Sequence, residues 1–398
     1  MTTNTVKDKK YIVKYKAITI YKRENVMERI YNYLKKDAVL TISWVLAIVS
    51  MFFTKPDKAY AGYIDWRSLG ILWSLMIITK GYMQNGIFEK IGHALLTRTR
   101  KMWQLIAVLV GLNFFSSMII TNDVSLITFV PFAIMMLKQC GRQELMIPVV
   151  VLQTIAANLG SMLTPIGNPQ NLYLYGLAGK GIGEFIMWLL PYTIVSALLL
   201  VISILLIKNK NEIICIEDTD SEAAHNTSVP RVMAYSVLFI LALLVVARVL
   251  TWYILAAAVL ITVLLLEKNV LAKADYALLL TFIGFFIFTG NMGRVEPVAH
   301  FLAGIVNSRE LEVGIITSQC ISNVPAALLL SGFTDNIKNL SIGVNIGGLG
   351  TLIASMASLI SYKLYANEVP EKKGKYFAVF TVYNIIFLVV LYVFTKLI

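Results

Sequence analysis

The chain has 398 residues, of which 58% are hydrophobic and only 15% charged. A soluble domain carries roughly a quarter charged residues, so composition excludes an ordinary soluble protein. The net charge of +12 does not mark a nucleic-acid binder, because Lys and Arg gather before Ala38 and in short loops between apolar runs, where they orient a membrane protein.

In chain order, residues 1–37 read as a basic cytoplasmic segment, with Glu24–Lys36 either an amphipathic surface helix or a solvated arm. Residues 38–64 hold the first transmembrane helix and a loop. Apolar runs near the ~20 residues that cross a bilayer follow at Trp66–Phe88, Leu145–Leu159, Phe185–Ile207, Met233–Val249, Trp252–Leu266, Tyr276–Met292, Ile342–Ile360 and Tyr376–Phe394. Two stretches are too long for one crossing and too interrupted for two. Trp103–Leu137 is broken at Thr121-Asn122-Asp123, and Leu311–Phe333 at Ser322-Asn323 with Pro325. Basic residues flank the first on both sides, Lys90, Arg98, Arg100 and Lys101 before it, Lys138 and Arg142 after it. Both flanks are therefore expected in the cytoplasm, making the stretch a re-entrant hairpin whose tip lies in protein or beside a polar cavity. Residues 208–230 become a cytoplasmic linker between the halves.

The chain also resembles itself. Asn158–Tyr175 aligns without gaps to Asn345–Tyr362, with six identities in eighteen positions, including Asn158/Asn345, Gly160/Gly347 and Thr164/Thr351. About one or two would arise by chance in so apolar a composition. Upstream, Ser116–Asp123 aligns with Thr317–Val324, placing Asn122 over Asn323, and Asp65-Trp66 aligns with Asp275-Tyr276. The charge pattern sends Trp66–Phe88 inward and Tyr276–Met292 outward, so the expectation is two inverted repeats, 65–207 and 231–398, the second with one preceding helix pair. The predicted fold class is an all-α polytopic membrane protein with inverted repeats, each holding a re-entrant helical hairpin and a broken transmembrane helix, in the plasma membrane with a cytoplasmic N-terminus.

Four breaks then mark the candidate site, since interrupted helices strand N–H groups that suit anions and carbonyls that suit cations. Two are the hairpin tips; the others are Thr164–Pro169 and its counterpart Thr351–Ser358, which lacks proline and reads alternatively as a small-residue packing face. Candidate substrate contacts are Asn122, Asp123, Asn168, Pro169, Asn323, Ser355 and Ser358. Each tip asparagine either ligands a cation or caps the returning half-helix. Asp123, a carboxylate at lipid depth, is expected to bind a cation or proton, or else to cap the half-helix starting at Val124. Lys80 either snorkels to the cytoplasmic surface or partners the site. Cys140, Cys215 and Cys320 lack metal-ligand spacing, and neither HExxH, a paired-Asp metal motif nor a nucleotide-binding P-loop occurs, which disfavours an intramembrane enzyme or ATP-driven pump.

At the motifs TNDVSLITFVPF from Thr121, ANLGSMLTPIGNPQN from Ala157, ISNVPAAL from Ile321 and GVNIGGLGTLIASMASL from Gly343, the chain resembles the ion transporter superfamily. That group includes divalent anion:sodium symporters, citrate-transporter-like and arsenite permeases, and NhaD-type sodium/proton antiporters. The resemblance covers roughly Trp66 to the C-terminus. It implies two Na⁺ sites, one using Ser117, Thr121 and Asn122 with Gly167, the other Ser318, the backbone of Ile321 and Asn323 with Ala354. It also implies a homodimer with an elevator-type motion, no cofactor, and Na⁺ or H⁺ as coupling ion. Asp123 and Val324 replace the threonine of the symporters' Ser-Asn-Thr tips, which argues against a dicarboxylate substrate and towards the arsenite-permease and antiporter branches. The expected function is ion-coupled secondary transport of a small anion, with Na⁺/H⁺ antiport or arsenite-type permeation as alternatives.

Overall fold

The computed structural model describes residues 38–96, 99–207, 212 and 228–398. The basic N-terminal segment and most of the 208–230 linker lie outside the described residues. Everything regular among the described residues is helical. Among the described residues, six helices are long and apolar enough to cross a membrane by length and composition.

The first half contains α1 (Ala38–Met51), α2 (Trp66–Gln84), α3 (Ile87–Leu96), α4 (Met102–Ile120), α5 (Asn122–Gln139), α6 (Met146–Ser161), α7 (Pro169–Ala178) and α8 (Ile182–Leu206). The second contains α9 (Val229–Val246), α10 (Trp252–Leu266), α11 (Tyr276–Gly293), α12 (Glu296–Val306), α13 (Glu310–Ile321), α14 (Asn323–Leu330), α15 (Ile337–Gly347), α16 (Met356–Glu368) and α17 (Lys373–Thr395). From α2 and from α11 onward, one order recurs: a helix, a short helix, a two-armed hairpin, a broken helix and a long helix.

Matched sequence makes matched local structure. Asp65 and Asp275 each cap a helix, accepting from Ser68 N and Leu278 N at 3.0 Å in both cases. Each carboxylate satisfies one of the four N–H groups a helix start leaves without partners. Two short helices differ from expectation. Trp66–Phe88 is not one span, because α2 ends at Gln84 and Gly86 takes a positive φ of 65° before α3. Ile342–Ile360 is likewise two helices, α15 and α16, joined by a 3₁₀ turn at Leu352–Ala354. The break without proline is thus a real break, not a packing face.

The core centres on α6, where every residue except Pro148 is buried. Around it the halves interlock. The opening helix α1 packs on α11, while α10 packs on α2. The returning hairpin arms cross as well, α5 lying on α16 and α14 on α7. Lys138 and Glu368 form an ion pair that ties α5 to α16. Between α1 and α11, Asn291 Nδ2 donates to Ser50 Oγ (2.9 Å) and Tyr60 Oη (2.8 Å). The outer faces of α8, α10 and α17 expose apolar side chains such as Leu198, Leu205, Ile261, Leu264, Val382 and Ile385, a surface suited to lipid rather than water.

Near one end of α2, Glu267 is a buried carboxylate that sequence reading passed over. It accepts from Arg231 Nη1 (2.9 Å), Tyr235 Oη (3.0 Å) and Asn85 Nδ2 (3.2 Å). Removing a partner from such a group leaves a desolvated charge, costing about 3–5 kcal/mol. The cluster fixes α2, α9 and α10 to one another.

Candidate functional site

Both hairpins fold through one unusual residue. Thr121 has φ 73°, ψ 149°, and Ser322 has φ 77°, ψ 153°. This region is almost reserved for glycine and costs about 1–3 kcal/mol per residue. The shared geometry reverses the chain and starts α5 at Asn122 and α14 at Asn323. Four half-helices therefore begin here, at Asn122, Pro169, Asn323 and Met356, and each N-terminus carries partial positive charge.

Glycine lets the tips approach the core. A Cβ on Gly160 would lie 2.1 Å from Phe114 O and 2.7 Å from Ser117 Oγ, and one on Gly347 would lie 2.8 Å from Ser318 Oγ. Ser117 and Ser318 are fully buried beneath their hairpins. Threonines then tie each break to the neighbouring hairpin arm. Thr164 Oγ1 donates to Met118 O (2.5 Å) and Thr351 Oγ1 to Gln319 O (3.3 Å), and in the sequence alignment Met118 stands over Gln319.

The side chains between the tips form two crossed clusters. Asn158 Oδ1 accepts from Asn122 Nδ2 (3.1 Å) and from Ser355 Oγ (2.9 Å), while its Nδ2 donates to Ser358 Oγ (3.2 Å). Asn345 Oδ1 accepts from Asn168 Nδ2 (3.1 Å), while its Nδ2 donates to Asn171 Oδ1 (2.6 Å) and Ser341 O (2.8 Å). The segment leading into each half's break thus reaches the other half's break. Asn168 also caps α7, accepting from Asn171 N (2.9 Å), with Pro169 at the first helical position. Asn171 Nδ2 donates to Met162 O (2.7 Å) and Thr164 O (3.2 Å), satisfying carbonyls that the break sets free.

Of the residues expected at the first cation site, Asn122 and Gly167 meet directly, Asn122 N donating to Gly167 O at 3.2 Å. At the second, the 3₁₀ turn containing Ala354 packs on α13, which carries Ser318 and Ile321. Asn323 Nδ2 lies against Gly348, where a Cβ would come within 2.8 Å of it. The N-cap residues Thr121 and Ser322 make no side-chain cap hydrogen bond, whereas Asn122 Oδ1 accepts from Asp123 N at 3.0 Å, holding a first-turn N–H of the returning arm. The Asp123 carboxylate is half-buried and accepts no hydrogen bond from the described residues. Lys80 is half-buried too, with Nζ 4.0 Å from Met83 Sδ and no carboxylate among the described residues within ion-pair distance.

Sequence reasoning aligned Asn158 with Asn345 without giving either a role, and it missed Asn171 and Gln170. Gln170 is 1% exposed and its Oε1 has no partner among the described residues. The available signal was an asparagine at the same place just before each helix break, inside an otherwise apolar segment.

Chain-wide similarity identifies the family. Residues 26–338 match the citrate transporter family. The chain belongs to that family. It is 32% identical to an uncharacterized transporter of Methanocaldococcus jannaschii over 84% of this chain and 90% of that one. It is 29% identical to the inner membrane protein YbiR of Escherichia coli, over 80% and 85% of the two chains. A shorter match, 31% identical over 34% of this chain and 27% of the other, is to the silicon efflux transporter LSI3 of Oryza sativa. This citrate-transporter-family protein is a multi-pass membrane transporter.

Proposed function

We propose that this transporter is an ion-coupled secondary carrier of a small anion, an organic carboxylate or oxyanion, working by an elevator-type motion of the part that holds both hairpins. One observation carries the reading: four half-helix N-termini open beside two buried asparagine clusters, and the two hairpin tips among them share near-identical backbone torsions. Such ends attract anionic groups, and the carbonyls released beside them attract cations. Asn122, Asp123, Asn168, Pro169, Asn323, Ser355 and Ser358 are assigned to the substrate. Ser117, Thr121, Asn122, Asp123 and Gly167 are assigned to one coupling ion, and Ser318, Ile321, Asn323 and Ala354 to its counterpart. The repeats are read as inverted, the N-terminus as cytoplasmic, the membrane as the plasma membrane and the assembly as a homodimer.

A second reading, cation/proton exchange without a carried anion, is favoured by the unpartnered Asp123 carboxylate, which a bound cation or proton would neutralise. Uptake into proteoliposomes separates the two. Citrate, sulfate and arsenate, all anionic at neutral pH, are offered under an imposed Na⁺ or pH gradient. Accumulation of one of them that needs the gradient is expected, and Asp123→Asn is expected to abolish the gradient dependence. Robust Na⁺/H⁺ exchange with no accumulation of any of the three would replace the first reading by the second.

A further inference from the structure

We propose that Asn158 and Asn345 are reciprocal positioning residues, each setting the shape of the other half's broken helix, and that through Asn158 filling the first half-site orders the second break. The proposal rests on the functional reading above for what fills the half-sites, but the crossing itself is geometric. Both asparagines are nearly fully buried, 4% and 2% exposed. They occupy aligned positions just before the ends of α6 and α15, and their targets align too: Asn168 stands over Ser355, and Asn171 over Ser358. One relation is therefore made twice, each time from one half into the other.

A purely local brace would bind the break in its own half, which follows directly in sequence and is closer to hand. The local break has its own support instead, Asn171 holding Met162 O and Thr164 O. Buried amides carry two donors and two acceptor sites, and unmade bonds there are expensive. Asn158 spends both acceptor sites and one donor on the first tip and the second break together. A cation that draws in the Asn122 side chain must carry Asn158 with it, and with Asn158 the hydroxyls of Ser355 and Ser358. Ion occupancy at the first tip thereby sets the geometry of the second break. Neither asparagine needs to touch the ligand.

Backbone hydrogen exchange read by mass spectrometry on the full chain in lipid nanodiscs tests this. Without ligand, Asn158→Ala is expected to speed exchange roughly fivefold across 352–358, and Asn345→Ala to do so across 164–171, each leaving the other segment unchanged. Loosening confined to the same half in both variants would overturn the crossing. Should a variant fail to fold, Ser355→Ala and Asn168→Ala cut the same bonds from the far side, and are expected to speed exchange across 155–161 and 341–348 respectively; no change there overturns the crossing as well. The second arm compares NaCl with KCl. Sodium is expected to protect 118–125 and 352–358 in the native chain, and only 118–125 in Asn158→Ala. Equal protection of both segments in that variant would overturn the linkage. Sodium protecting neither segment in the native chain would sink the cation assignment, leaving the ligand-free pattern to decide the crossing.

Discussion

The two hairpin tips share a backbone and differ in nearly everything attached to it. At the first, Asn122 is fastened, its Nδ2 to Asn158 and its N–H to Gly167 O, and the next residue is Asp123. At the second, Asn323 donates to no described side chain, accepts only from Ser322 Oγ at 3.5 Å, and is followed by Val324. The first tip is held and carries a carboxyl group; the second carries none and its amide is available. Matched architecture thus repeats one backbone turn in both halves, while single substitutions decide that the two tips are not equivalent.

Packing gives the largest expected effect on this comparison. Gly160→Ala drives a methyl to 2.1 Å from the backbone carbonyl of Phe114, whereas Gly347→Ala meets its nearest atoms, Ser318 Oγ and the Ile315 Cα, only at 2.8 and 2.9 Å. Thermal unfolding in detergent should show a loss of about 3 kcal/mol for the first and about 1 kcal/mol for the second. Equal losses would mean that the two hairpins seat equally tightly. Truncating the tip asparagines sharpens the contrast. Asn122→Ala should cost about 1–2 kcal/mol of stability through its lost bond to Asn158, while Asn323→Ala should stay within about 0.5 kcal/mol and show its defect in ligand-dependent stabilisation. Reversed magnitudes would overturn the distinction between a held and an available tip.

Relieving strain comes next. Ser322→Gly should raise stability by about 1 kcal/mol, the relief of a positive φ less the extra freedom of an unfolded glycine. Destabilisation would show that the Ser322 hydroxyl contributes more than its long bond suggests. The smallest effect lies away from the tips, where Arg294 Nη1 bonds Asp57 Oδ2 at 2.8 Å and holds that carboxyl below its ordinary value of 3.8. The depressed value means the pair contributes fully above the unfolded pKa and is lost as pH falls through the folded one. Asp57→Asn should therefore remove a small stability increment at neutral pH and flatten that part of the acid limb of the unfolding curve.

Much of this was legible in the sequence, for a definite reason. Thr-Asn-Asp and Ser-Asn with a nearby proline inside apolar runs have no place in lipid unless the helix stops there, so both tips could be read directly. The Pro165–Pro169 break announced itself in the same way. Its partner had no proline and became visible only through alignment with the first. The helices Ile87–Leu96 and Glu296–Val306 were lost because ten- and eleven-residue elements are too short to read as spans and fell among the connections between apolar runs. Asn158 and Asn345 were seen but given no role, since their partners lie about two hundred residues away. Glu267 looked like an ordinary loop charge until Arg231, Tyr235 and Asn85 were found around it.

The exchange of opening helices between halves has a consequence for how the chain is made. As synthesis proceeds from the N-terminus, α2 enters the membrane long before Trp252–Leu266 arrives to cover its flank, and α1 waits for Tyr276–Gly293. Neither half can complete its native contacts alone. Two fragments cut in the linker and expressed separately would have to meet in the bilayer before either was whole, so co-expression should rescue what single expression leaves to proteolysis.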